Sequence, residues 1–225
     1  MSYLNFAWSW VSNPAHWHGP GNIPSLILAH LGYTFLPLLV AAVIAIPLGV
    51  LIGHTGRGAV AVVNVANAWR SIPTLGLLVL AVITLGFSVL TWLIPLVVLA
   101  IPPILVNTYE GVAGVEPGLK DAARGMGMTS WQLMRKVEVP VALPLIVLGL
   151  RTGAIFVVAT ATIAAYIGLG GLGRPIIDGL AASNYYEVAG GALLVVLLAL
   201  FIQVLFVFVR RLVVPAGLRQ QAGPQ

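Results

Sequence analysis

The sequence predicts an all-α integral membrane protein of five spans, and three observations carry that prediction. Of its 225 residues, 60% are hydrophobic and only 8% charged, with a mean hydropathy of +1.03. A soluble domain carries about 25% charge and about 45–50% apolar residues. The apolar residues gather in stretches long enough to cross a bilayer, which takes about 20 residues at 1.5 Å each. Most of the 11 basic and 6 acidic residues fall in a few of the connecting segments. This composition excludes a soluble enzyme and a disordered tail, and a chain without cysteine is no disulfide scaffold.

Residues 1–24 read as an external or interfacial N-terminal segment. They hold no Lys or Arg, and so lack the basic start of a secretory signal. Tyr3, Phe6, Trp8, Trp10 and Trp17, interrupted by Pro14, Pro20 and Pro24, suit the membrane–water boundary where indole rings settle. His16 and His18 are metal-ligand types, but two histidines without an acidic neighbour read as part of that boundary loop. The remainder, 25–214, divides into spans at 25–53, 59–86, 89–109, 141–166 and 185–209, with a long connection at 110–140 and a tail at 215–225. Pro37, Pro47, Pro73, Pro95, Pro102 and Pro103 fall inside three of them, which neighbouring helices can accommodate.

Five spans put the termini on opposite sides, and the basic residues orient them. With the N-terminus outside, the cytoplasmic segments 54–58, 110–140 and 210–225 hold Arg57, Lys120, Arg124, Arg135, Lys136, Arg210, Arg211 and Arg219. The external segments hold Arg174 alone, and Arg70 and Arg151 lie within spans. That asymmetry is the positive-inside pattern. A pI near 10 therefore reports topology, with no clustered basic face for nucleic acid.

The 110–140 segment carries the most local signal. Pro117 suits the first turn of a helix, and Gly125 or Gly127 can end it. Thr129 and Gln132 have the form of a capping box opening a second short helix, which Pro140 is expected to stop. Two short helices meeting at a glycine follow. Within them, Asp121-Ala122-Ala123, then Gly127, then nine residues, then Val137-Glu138-Val139-Pro140 resembles the EAA loop of ABC-importer permeases. Asp121 stands for Glu, and Val137 and Val139 for Ile and Leu.

The resemblance implies a type I ABC-importer permease fold whose coupling helices seat in a cleft of a cytoplasmic ATPase. It implies a coupling role for Asp121, Ala122, Ala123, Gly127, Val137 and Pro140. It also implies a second permease (a copy or a paralogue), an ATPase dimer and an external solute-binding protein as partners. The chain has no P-loop, so no cofactor is expected in it, and ATP and Mg would be bound by the partner ATPase. Ser71-Ile72-Pro73-Thr74-Leu75, Ile101-Pro102-Pro103-Ile104 running into Asn107-Thr108-Tyr109, Gly149-Leu150-Arg151-Thr152, and Ile167 to Gly173 resemble the osmoprotectant branch. That branch moves glycine betaine, choline and carnitine; a permease for another small solute, such as an amino acid, is the alternative. Arg70 stands where that branch commonly has Gln.

Polar residues within spans usually face a bundle interior or a wet cavity. Asn64, Asn67, Ser71 and Thr74 recur at i, i+3, i+7 and i+10, one helical stripe. It serves either helix packing by small polar groups or the solute path. Arg70 sits beside it, as an anchor or as a contact for a carboxylate. Arg151 and Thr162 share a face of the fourth span. Gly168-x-Gly170-x-x-Gly173 matches the dinucleotide fingerprint by letter, but no strand is expected before it; it reads as a tightly packed external turn. An ion-coupled secondary carrier would place acids inside the bundle. None occurs in the first 109 residues or between 139 and 177.

Overall fold

The structure is a computed structural model and describes residues 3–69 and 71–214. Arg70, the side chain of Asn67 and the 215–225 tail with Arg219 lie outside the described residues. Among those described, regular structure is entirely helical: α1 (Tyr3–Val11), α2 (Ile23–Thr55), α3 (Ala59–Trp69), α4 (Thr74–Leu85), α5 (Val89–Ala113), α6 (Pro117–Gly125), α7 (Ser130–Leu133), α8 (Val139–Ala164), α9 (Gly173–Ala181) and α10 (Tyr185–Val213). A π turn at Met134–Glu138 and a 3-10 turn at Ala165–Ile167 extend α7 and α8 into one rod, Ser130–Ile167.

Among the described residues four helices are long and apolar enough to span: Ile23–Thr55, Val89–Ala113, Ser130–Ile167 and Tyr185–Val213. The span expected over 59–86 is not one helix. It is split into α3, of 11 residues, and α4, of 12. Pro73 has no N–H to donate and biases Ile72 away from helical backbone, so the coil ends before it and restarts at Thr74. The stripe through Asn64, Asn67, Ser71 and Thr74 is accordingly broken. Ser71 lies in a turn, its N–H donating to the Ala68 carbonyl at 3.0 Å, and Thr74 opens a separate helix.

Pro140 also departs from expectation, because the helix runs through it. In the π turn the Val139 N–H donates to the Met134 carbonyl, five residues back. That wider coil makes room where the Pro140 ring would press on the Lys136 carbonyl of a regular helix.

Two compact units are distinguished, 1–39 with 72–98 and 154–202, and 40–71 with 99–153 and 203–225. The buried residues of the first include Leu78, Leu96, Val157, Ala161, Leu172 and a fully buried His30. Within it α1 docks on α10: Trp10 lies against Gly190 and stacks on the His16 ring with centroids 4.3 Å apart. Trp8 and Trp17 stay exposed, as boundary residues do. The second unit packs Val50, Val112, Ala142 and Ile146 together, flanked by Ile46, Met134, Val139 and Leu150. Its α2 and α5 approach closely through Gly49 and Gly53; a Cβ on either would come within 2.7 Å of Thr108 or Val112, the small-residue seam that membrane helices use.

Helix length decides what reaches the loops. The 33 residues of α2 span about 50 Å at 1.5 Å each, against roughly 30 Å of hydrocarbon. Its last turn, with His54 and Thr55, is therefore free to stand clear of the bilayer and meet the 110–140 segment.

Candidate functional site

The segment between α5 and α8 forms a helix–turn–helix. Pro117 occupies the first turn of α6. The helix ends in a Schellman arrangement around Gly127, which has φ +82°: the Gly127 N–H donates to Arg124 and the Met128 N–H to Ala123. Thr129 and Gln132 form the reciprocal capping box that opens α7. Ala123 is buried, while Asp121, Ala122 and Gly127 are exposed. Among the described residues Asp121 pairs locally, with Arg124 at 3.2 Å. Val137 and Pro140 are half-buried on the π turn and the start of α8. The outer surface adds two large apolar side chains, Met126 at 73% and Trp131 at 64% exposure, which sequence reasoning did not single out.

Behind that surface lies a buried ionic cluster. Glu138, 1% exposed, accepts from His54 Nδ1 at 2.5 Å and pairs with Lys120 Nζ at 3.3 Å. The Lys120 ammonium also donates to the Val112 carbonyl at 3.3 Å, satisfying an acceptor in the last turn of α5. His54 Nε2 is hydrogen-bonded to Ser130 Oγ at 2.7 Å. One carboxylate thus joins the ends of α2 and α5, the middle of α6 and the entry to α8. Sequence reasoning missed His54, Lys120, Ser130 and Glu138 as a group; its one available signal was an acid inside an otherwise apolar Val-x-Val-Pro stretch.

The expected path residues are divided between the two compact units, Asn64, Ser71 and Arg151 in one and Thr74 and Thr162 in the other. Asn64 and Ser71 are exposed and Thr74 is half-buried. The Thr162 hydroxyl is satisfied within its own helix by the Val158 carbonyl at 3.0 Å. Arg151 Nε donates to Gln203 Oε1 on α10 at 3.4 Å. Arg151 and Thr162 fall in different compact units.

The glycine-rich turn before α9 follows a helix, so the strand–turn–helix setting of a dinucleotide site is missing at that position. Gly168 and Gly171 have φ of +92° and +82°. Gly173 lies directly under the Thr162 carbonyl, where no Cβ fits. The Leu172 N–H donates to His30 Nδ1 at 3.2 Å, which leaves Nε2 as the donor to the Val158 carbonyl at 3.3 Å. His16 Nδ1 donates to the Trp10 carbonyl at 2.7 Å, and no metal-ligand cluster of three or more residues occurs among the described residues.

A helical chain with four helices long and apolar enough to cross a membrane, and a helix–turn–helix inserted between two of them, is the architecture of a multi-pass membrane protein. Residues 45–217 match the family of binding-protein-dependent transport system inner membrane components, and the chain belongs to that family. It is 36% identical over 190 residues to the glycine betaine/carnitine/choline transport system permease protein OpuCB of Bacillus subtilis, covering 84% of this chain and 88% of that one. It is 35% identical over 204 residues to the osmoprotectant import permease protein OsmW of Salmonella typhimurium, covering 88% and 95%. Among solved structures, an inward-facing MetNI methionine ABC transporter chain superposes with a TM-score of 0.75 at 28% identity, over 91% of this chain and 100% of that one.

Proposed function

We propose that the chain is the membrane permease subunit of an ATP-driven importer for osmoprotectants, quaternary ammonium solutes such as glycine betaine, choline and carnitine. The observation that carries this reading is identity of 33–38% to permeases named for those solutes, over most of the chain. The permease crosses the inner membrane five times, with α3 and α4 together making the broken second span. The N-terminus is outside and the C-terminus cytoplasmic, as the basic residues of 54–58, 110–140 and 210–225 favour.

ATP and Mg are bound by a separate ATPase dimer, and the solute arrives on an external binding protein. Two permeases, copies or paralogues, form the core. The α6–α7 pair seats in the ATPase: Asp121 offers its carboxylate, Ala122 permits close approach, and Ala123 and Gly127 set the turn. Val137 and Pro140 join the pair to α8. Closure of the ATPase dimer moves the pair and the spans attached to it, a hinge or shear transition between inward- and outward-open states. Asn64, Asn67, Ser71, Thr74, Arg151 and Thr162 are the candidates for the solute path. Arg151 has no acid within its span, which suits it to the carboxylate of a betaine or carnitine.

The test is reconstitution with the ATPase and binding protein in proteoliposomes. ATP-dependent uptake is expected, and uptake driven by an ion gradient without ATP overturns the reading. Gly127→Trp is expected to insert normally and to lose solute-stimulated ATP hydrolysis; undiminished stimulation removes the coupling role.

A further inference from the structure

We infer that Glu138, through His54 and Lys120, is the positioning residue that makes the cytoplasmic helix pair and the spans behind it move as one body. The chain offers weak mechanical continuity around α6. Gly114 precedes it and Gly127, with open space around it and φ +82°, follows it. A push on α6 would be absorbed by bending at those two turns unless something ties α6 to the spans directly.

The buried cluster supplies that tie. Lys120, near the middle of α6, reaches both Glu138 and the Val112 carbonyl at the end of α5. The other carboxylate oxygen takes His54 from the last turn of α2, and His54 reaches on to Ser130 at the start of α7. Two side chains therefore meet on Glu138, and through them it is linked to four other segments: His54 joins it to the end of α2 and to Ser130, Lys120 joins it to α6 and to the end of α5. Glu138 itself sits in the π turn, where the Ser130–Ile167 rod departs from regular α geometry, and such turns concentrate at working sites.

Stability alone does not account for this arrangement. A buried ion cluster costs desolvation, and well-packed apolar residues of similar volume commonly serve as well or better. What apolar packing lacks is direction: charge-assisted bonds hold donors and acceptors in one geometry. The inference rests on the importer reading for its consequence, while the geometry stands without it.

The experiment uses the full chain in nanodiscs. Because the chain has no cysteine, spin labels can be placed cleanly by Glu116→Cys at the start of α6 and Ile44→Cys on α2, both exposed. Pulsed EPR is expected to give one narrow distance in the resting permease. The same distance is expected in the complex with its ATPase trapped with ATP and vanadate. Glu138→Ala and Lys120→Met are expected to broaden it, and Lys120→Arg to restore it. In proteoliposomes, glycine betaine taken up per ATP hydrolysed is expected to fall roughly tenfold in the two broadened variants, the scale of a typical coupling free energy, with ATP hydrolysis retained.

An unchanged narrow distance in Glu138→Ala overturns the inference, as does a wild-type distance that shifts on trapping. Should Glu138→Ala fail to assemble, Lys120→Met and the exposed Ser130→Ala carry the test. A wild type that hydrolyses ATP without taking up glycine betaine counts against the solute reading, and the distance measurement still decides the clamp.

Discussion

Two short helices hang between long ones in this chain, and they are held by opposite means. The α6 helix is tied by charged side chains: Lys120 to Glu138 and to the α5 carboxyl end. The α9 helix is held by contact. Gly173 at its start lies under Thr162, Gly179 meets Val188 and Asn184, and Gly191 of α10 meets Pro175 and Ile176. Its one polar anchor, His30, bonds only backbone groups. Contact packing has no slack, since a close-packed interior resists small changes of shape. A point-contact clamp leaves the outer face of α6 exposed for another protein while keeping a firm grip on the spans. On the proposed function, that difference would separate a fixed corner from a lever.

The comparison is broken most sharply at Gly173. A Cβ there would collide with the Thr162 carbonyl and approach Ala165 to 2.7 Å, and backbone cannot step aside as a side chain does. Gly173→Val is expected to cost about 3 kcal/mol, the upper end for overpacking, read as a fall in melting temperature in detergent. A melt equal to wild type would mean that α9 is not contact-held.

His30 gives the next largest effect. His30→Phe keeps most of the volume but leaves the Leu172 N–H without its acceptor and removes the bond to Val158. An unmade buried bond of that kind costs roughly 2 kcal/mol. Hydrogen exchange is expected to quicken at Leu172 while the α6–α7 turn stays protected. Equal loosening of both regions would deny that they are independently held.

How much of this was legible in sequence follows from the range of each interaction. The capping box at Thr129 and Gln132 and the turn at Gly127 are local, and both are present as read. The four long spans follow from hydropathy alone. The break within 59–86 does not, because a hydropathy window does not register that Pro73 ends one coil and starts another. Pro140 was read as a stop for the complementary reason: a π turn that absorbs a proline has no sequence signature of its own. The cluster was least legible, since His54 and Glu138 are 84 residues apart and meet only in the folded chain. The stripe through Asn64, Asn67, Ser71 and Thr74 was read on an unbroken helix, and the break before Thr74 divides it between two helices.

The smallest effect on stability is expected where the two regions look most alike, at their exposed ion pairs. Asp121–Arg124 on α6 is 3.2 Å apart and Arg174–Asp178 on α9 is 2.7 Å apart, all four side chains well exposed. Pairs of this kind contribute no more than a few tenths of a kcal/mol. Asp121→Asn and Arg174→Ala are therefore both expected to melt with wild type. Function should divide them: if α6 is the lever, Asp121→Asn weakens ATPase binding and ATP-driven uptake, while Arg174→Ala leaves ATPase binding unchanged. Because neither variant disturbs the fold, a deficit confined to Asp121 is attributable to the docked face itself. Equal ATPase affinity in both would move the docking surface off that carboxylate and onto the exposed Met126 and Trp131.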